Sequence, residues 1–316
     1  MGRSIGDVGE FGLIAELTAV QAAGDGVLLG AGDDAAVVAA PDGRVVVSTD
    51  VLVEGVHFKG EWSGAEDIGR RAAAASLADI AAMGARPTAL VVAFTGPPGM
   101  AAQWAVDAAR GLAQEAAEVG ASVVGGDVAR GRQVSLTVTA LGDLEGRTPV
   151  TRSGARPGEQ VALAGRQGWA AAGLAVLSRG FRSPRILVAA YRRPEPPYRA
   201  GPAAALAGAT AMIDVSDGLL ADAGHLARAS GVTIDLDPAL LPVGQPLVDA
   251  AAAFNADPMA WVLGGGDDHA LLATFPAGAQ LPDGFRTIGS VGRHDEADVL
   301  VAGALWTGPA GHEHFR

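Results

Sequence analysis

The chain has 316 residues, 49% apolar and 18% charged, with 45 glycines, enough for two packed cores joined by many tight turns. Its net charge of -12 opposes counterion-driven attachment to nucleic acid, and no basic cluster offsets it, so polyanion partners are not expected. The absence of cysteine excludes disulfides, thiolate metal sites and cysteine nucleophiles. Lys59 is the only lysine and no Gly-Lys-Ser/Thr occurs, so a Walker A loop is impossible. Any bound phosphate must be met by arginines, backbone N–H groups or divalent cations. Met1 to Glu10 lacks the apolar core of a signal peptide, and charges interrupt the alanine-rich stretches before they reach membrane-spanning length. A soluble cytoplasmic protein without membrane contact is expected.

In chain order, Gly30-Ala31-Gly32-Asp33-Asp34 places two carboxylates in a glycine turn before the apolar run Ala35 to Ala40. A dinucleotide loop with Asp50 as ribose ligand fits superficially, but such a loop must open a helix. Here Pro41-Asp42-Gly43 closes a strand-like run and leaves no room for a crossover helix before Val45. Val45 to Val47 predicts a buried strand, with Ser48-Thr49-Asp50 expected at its C-terminal end, where hydroxyl and carboxylate oxygens suit Mg2+. Ser63 with Glu66 three residues on reads as a capping box opening a helix to about Met83, ended by Gly84 and Pro87. Within it Asp79 shares a face with Ala72, Ala75 and Ala82, which is costly unless an arginine such as Arg71 or a metal compensates. A helix from about Ala101 to Val119 stops at Gly120. The strand Ser122 to Val124 then delivers Gly125-Gly126-Asp127 at its end, and Gln133 to Leu141 is a further strand.

Gly142 to Gly158 is polar and rich in turn signals, which places a domain boundary near Arg147 and divides the chain into 1–146 and 147–316. The second half alternates helices near Trp169 to Leu177, Pro202 to Gly208 and Leu219 to Ala229 with strands Ala211 to Ile213 and Val232 to Leu236. This is an α/β or α+β pattern of layered elements. Asp214-Val215-Ser216-Asp217-Gly218 opens one of these helices; capping by Ser216 accounts for one carboxylate but not both. Gly264-Gly265-Gly266-Asp267-Asp268 enters an apparent strand, His269 to Phe275. Asp after glycine or at a strand end thus recurs in both halves. Hard-oxygen sites of this kind fit Mg2+ bridging polyphosphate oxygens, and phosphoryl transfer asks little of a protein beyond positioning and charge neutralisation. The histidines show no zinc-ligand spacing beyond the pair near the end, His312 and His314.

Across nearly its whole length the chain resembles the thiamine-monophosphate kinase family, of the PurM-like superfamily shared with aminoimidazole ribonucleotide synthetase and selenophosphate synthetase. The resemblance runs in order through Gly9-Glu10-Phe11 with Leu13-Ile14, Gly32-Asp33-Asp34, Ser48-Thr49-Asp50 with Gly55 and His57-Phe58, and Leu77 to Gly84. It continues through Gly125-Gly126-Asp127, Thr151-Arg152-Ser153-Gly154 with Pro157-Gly158, Asp214 to Leu219, and Gly265-Gly266-Asp267-Asp268. It implies direct transfer of the γ-phosphate of ATP to thiamine monophosphate, giving thiamine diphosphate, with several magnesium ions and no phosphoenzyme. By position it implies Asp34, Ser48, Thr49, Asp50, Asp79, Asp127, Asp214 and Asp217 as magnesium ligands. Gly126, Arg152 and Ser216 would touch ATP, and His57, Asp267 and His312 the acceptor, with Trp306 a rival for the place of His312. A homodimer is implied, its N-terminal halves pairing into a β-barrel, each C-terminal half an α/β layered domain and the site in a cleft between halves.

Two positions depart from the family pattern: Asp267 stands where Glu is usual, one methylene short, and His269 where an aromatic is usual. Relatives that depend on essential cysteines are disfavoured. An aminoimidazole ribonucleotide synthetase-like enzyme and a non-enzymatic divalent-cation-binding protein are the alternative readings. The second would need neither Arg152 nor His57.

Overall fold

A computed structural model describes residues 3–31, 35–294 and 297–312. The chain forms two units, Met1–Ile80 with Ala85–Gly146, and Ala81–Gly84 with Arg147–Arg316.

Unit 1 begins with α1 (Ile5–Val8), α2 (Glu10–Thr18) and the short strands β1 (Val27–Leu29) and β2 (Val37–Val38). It continues with β3 (Val46–Val53), α3 (Ala65–Ala82), β4 (Arg86–Gly96), α4 (Ala102–Glu118), β5 (Ser122–Arg130) and β6 (Ser135–Asp143). Four of the strands form one sheet in the order β3-β6-β4-β5. Only β4 and β5 run parallel, and the crossover they need is supplied by α4. That helix buries Ala102, Ala105, Ala109, Leu112 and Ala116, a stripe at helical spacing.

Unit 2 carries β7 (Gln160–Ala164), α5 (Trp169–Ser178), α6 (Arg185–Arg192), α7 (Ala200–Leu206), β8 (Ala211–Val215) and α8 (Leu219–Ser230). It ends with β9 (Val232–Leu236), α9 (Gln245–Phe254), α10 (Pro258–Gly264), β10 (Ala270–Phe275), β11 (Phe285–Arg293) and β12 (Val299–Val301). Its sheet runs β12-β9-β11-β7-β10-β8 and is antiparallel except for the pair β9 and β12. β8 and β10 are buried at every position, as continuous apolar runs covered on both faces require.

Four local expectations change. Val45 and Val47 stand 49% and 62% exposed, so the valine run is not buried: β3 starts at Val46 and turns one face away from α3. The helix after residue 60 starts at Ala65, and the Ser63 hydroxyl has no hydrogen-bond partner among the described residues, so the Ser63–Glu66 capping box does not form. Gly64 takes the cap position instead, and its N–H donates to Asp67 three residues on. β3 runs past Asp50 to Val53, and β5 past Asp127 to Arg130, so both polar triplets lie within strands rather than after them. Ladder pairing carries the strands on: Asp50 lies opposite Val138, and Asp127 opposite Ala93.

Candidate active site

Side chains alternate between the two faces of a strand, so Ser48 and Asp50 share one face of β3 while Thr49 takes the other. The shared face looks at α3. The Ser48 hydroxyl donates to Asp79 Oδ2 at 2.5 Å, and the Ser76 hydroxyl of α3 donates to Asp50 Oδ2 at 2.9 Å. Strand and helix thus exchange hydroxyl for carboxylate, with i, i+2 spacing on one and i, i+3 on the other. Ser76 is fully buried; sequence reasoning missed it, although its place one turn before Asp79 was a usable signal. Thr49 is not brought to this cluster. Its hydroxyl is engaged on the opposite side by Val138 O at 3.2 Å and Thr139 at 3.0 Å.

Asp127 and Gly126 lie exposed on β5, the edge strand of the sheet. Cross-strand register puts Asp127 in line with Ala93, Thr137 and Val51, on the face of Thr49 rather than that of Asp50. Gly126 is required by a close approach, since a Cβ there would lie 1.9 Å from the carbonyl oxygen of Val92. The ring of His57 accepts the Val53 N–H on Nδ1 at 3.0 Å, so in neutral form it carries its proton on Nε2. Gly32, Asp33 and Asp34 lie outside the described residues.

In unit 2 the site gathers at the C-terminal end of β8. Asp214 is its fourth residue, and Ser216 and Asp217 turn into α8 through Gly218 at φ 131°. Two other segments hold this turn. From the glycine loop, Asp267 N–H donates to Ser216 O at 2.9 Å and His269 N–H to Val215 O at 3.1 Å. From the tail, His312 N–H donates to Asp217 O at 2.9 Å. Trp306 instead folds onto its own tail, donating from Nε1 to Pro309 O at 3.1 Å. Ser216 and Asp267 are half-buried; Arg152 is exposed, and its carbonyl accepts from Ser230 Oγ at 3.0 Å.

Asp217, Asp222 and His225 each place a possible ligand atom within 4.8 Å of the others. Asp222 and His225, one helical turn apart on α8, had not been singled out from the sequence. Buried Asp222 accepts the N–H groups of Asp217 and Gly218 at 3.0 and 3.1 Å. Burial first, then repulsion from Asp214 and Asp217, pushes its carboxyl up to about 7. Burial, with Arg228 and Arg152 nearby, pushes His225 down, which favours the neutral ring that metal ligation requires.

The paired Asp267-Asp268 of the glycine loop divide their work. Asp267 holds a left-handed backbone at φ 67°. Asp268 turns inward and caps α5, accepting Ala170 N–H on Oδ1 at 3.0 Å. Burial pushes its carboxyl up to about 7 against the N–H groups of Ala170, Gly168 and Trp169, which pull it down. Buried Gln167 anchors the same loop by donating to Gly265 O at 2.6 Å.

Residues 32–144 match the family "AIR synthase related protein, N-terminal domain". Over 309 residues the chain is 50% identical to a thiamine-monophosphate kinase of Mycobacterium tuberculosis, covering 98% of this chain and 92% of that one. The crystal structure of a thiamine-monophosphate kinase from Stenotrophomonas maltophilia K279a is similar at 32% identity and a TM-score of 0.81, covering 92% of this chain and 96% of that one. A structure described as "AaThiL complexed with AMPPCP and TMP" is similar at 30% identity and a TM-score of 0.81, with full coverage of both chains.

Proposed function

Because the chain belongs to the thiamine-monophosphate kinase family, we propose that it transfers the γ-phosphate of ATP to thiamine monophosphate. An acceptor phosphate oxygen bonds to the γ-phosphorus as the bond to the β–γ bridging oxygen breaks, leaving thiamine diphosphate and ADP. The observation that carries the assignment to these residues is the turn Asp214 to Gly218 with the start of α8, where Asp217, Asp222 and His225 bring possible ligand atoms within 4.8 Å of one another.

The donor chemistry is the fit test for magnesium: the carboxylates and hydroxyls gathered in each unit are hard oxygens, the donors that suit this cation. Ser48, Asp50 and Asp79 would hold magnesium in unit 1, and Asp214 and Asp217 in unit 2, with Asp127 meeting cation and triphosphate at the sheet edge. Bound magnesium neutralises charge on the transferring phosphoryl group. The chain's own groups orient the substrates. Gly126 would meet the nucleotide through its own backbone, Arg152 supplies the fixed positive charge that a missing P-loop lysine would have given, and Ser216 adds a hydroxyl. His57, through Nε2–H, Asp267 and His312 face the acceptor. Thr49 would join Asp127 on the face they share, since its hydroxyl oxygen keeps lone pairs while bonded to β6. Purified protein with ATP and Mg2+ is expected to convert thiamine monophosphate to the diphosphate, followed by chromatography. A folded sample that yields no diphosphate overturns the assignment.

No helix among the described residues is long and apolar enough to cross a membrane. The proposed place of action is the cytoplasm, and the proposed assembly a homodimer. Val47, Val51 and Val91 stand 62%, 45% and 37% exposed on the sheet face of unit 1 that turns away from Ser48 and Asp50. Such a face is stabilised by cover, about 25 cal/mol for each Å2 of apolar surface removed from water. The same face of a second copy would close a barrel. Light scattering should give a dimer mass for the native chain and a monomer for Val47→Glu with Val51→Glu. A native monomer removes the proposal.

A further inference from the structure

His269 follows the glycine loop directly, and its ring is buried against the carboxylate turn. Only 5% of His269 and 4% of Asp214 is exposed, and Nδ1 lies 3.2 Å from Asp214 Oδ2. An ionised carboxylate offers acceptors alone, so the hydrogen between them belongs to Nδ1. The backbone confirms that the ring is placed rather than incidental. His269 holds φ 52°, a left-handed conformation uncommon for a residue with a side chain, while its N–H donates to Val215 O at 3.1 Å. The next residues, Ala270 and Leu271, pair with Val215 and Asp214 across the sheet. Both partners of the hydrogen bond are therefore fixed to one rigid ladder.

We propose that His269 is a positioning residue for the metal site: by donating Nδ1–H to Asp214 Oδ2 it fixes the plane of a carboxylate assigned to magnesium. The inference rests on that assignment. Partners behind a ligating group commonly matter nearly as much as the ligand, because a carboxylate free to rotate loses entropy each time it binds. The role is one of orientation, and no change in the charge of either group is required.

The test is Mn2+ binding to the full chain without nucleotide, read by electron paramagnetic resonance, beside the Mg2+ concentration giving half-maximal turnover. His269→Phe keeps a ring in the buried place and removes the donor. It should weaken Mn2+ binding by about 10- to 100-fold and raise the Mg2+ requirement, leaving the KM for thiamine monophosphate unchanged. His269→Asn, which can donate and tolerates positive φ, should recover most of the loss. Native Mn2+ affinity in the Phe variant, or equal losses in both variants, overturns the proposal. Asp214→Asn separates it from the reading beneath: if that variant binds Mn2+ normally, Asp214 is no ligand and both fall. If it binds weakly while His269→Phe binds normally, only the present inference fails. Should the Phe variant not fold, nitrogen-15 spectra of the native chain decide, since a His269 proton on Nε2 alone refutes the hydrogen bond.

Discussion

Asp50→Asn is expected to lower kcat by about 100-fold or more at saturating Mg2+, in the range seen when one electrostatic stabiliser of a transition state is removed. The fold should survive. Asn is isosteric with Asp, and its carbonyl can still accept the Ser76 hydroxyl that now binds Asp50 Oδ2 at 2.9 Å. What disappears is a negative charge on the strand side of a cluster whose helix side, Asp79, is held by Ser48. With one carboxylate neutralised and an N–H2 group in its place, the cluster offers a divalent cation one anionic ligand fewer, and the phosphates lose the charge it would bring. Steady-state kinetics at increasing Mg2+, with circular dichroism of the same sample, checks this. Activity that returns fully at high Mg2+ would show that Asp50 sets affinity alone; activity that never falls would remove it from the site.

How this cluster reads from sequence shows where inference along a chain stops. Ser48, Asp50 and Asp79 can be picked out individually, because hydroxyls and carboxylates beside valine or alanine runs are costly without a purpose. The strand position of Ser48 and Asp50 cannot, since a Ser-Thr-Asp triplet looks like a turn. Only the pairing of Asp50 with Val138 carries β3 onward. The same holds for Asp127 in β5. The partnership of Ser76 with Asp50 spans 26 residues, and that of His269 with Asp214 spans 55. Neither spacing has a periodic signature. Short-range features fared better where they rest on local sterics: Val232 to Leu236 is a strand with the bounds read from its apolar run, and the helix ending at Gly231 stops where a left-handed cap is available. The Ser63 box does not form because the helix starts one residue later, where Gly64 N–H donates to Asp67, the half of a capping box that needs no side chain at the cap. Of the paired Asp267-Asp268, composition cannot say which one turns inward. The N-terminal turn of α5, nearly a hundred residues earlier, decides it.

The second large effect concerns the scaffold under that cluster. Gly111→Ala is expected to lower the thermal midpoint by about 5 °C or more, at roughly 2–4 °C per kcal/mol for a protein part of this size. Helices α3 and α4 meet at glycines. A Cβ on Gly69 would lie 2.0 Å from Ala108 O, and one on Gly111 would lie 2.1 Å from Glu66 O. In both cases the obstacle is backbone, which cannot swing aside as a side-chain tip can. Beside the crossing, Arg70 reaches Gln114 at 3.0 Å and buried Glu115 at 2.9 Å, so separating the helices also breaks a charged contact. Alanine improves helix propensity by about 1 kcal/mol over glycine, and that gain opposes the clash. Overpacking of this kind commonly costs about 1–3 kcal/mol and more where the main chain must move, so the clash wins. Gly99→Ala is the control: a Cβ there meets nothing within 4 Å, and its midpoint should match the native one. A Gly111→Ala variant melting with the native chain would mean that α4 can slide along α3 at little cost. The close crossing would then not be what fixes the helix that carries Ser76 and Asp79.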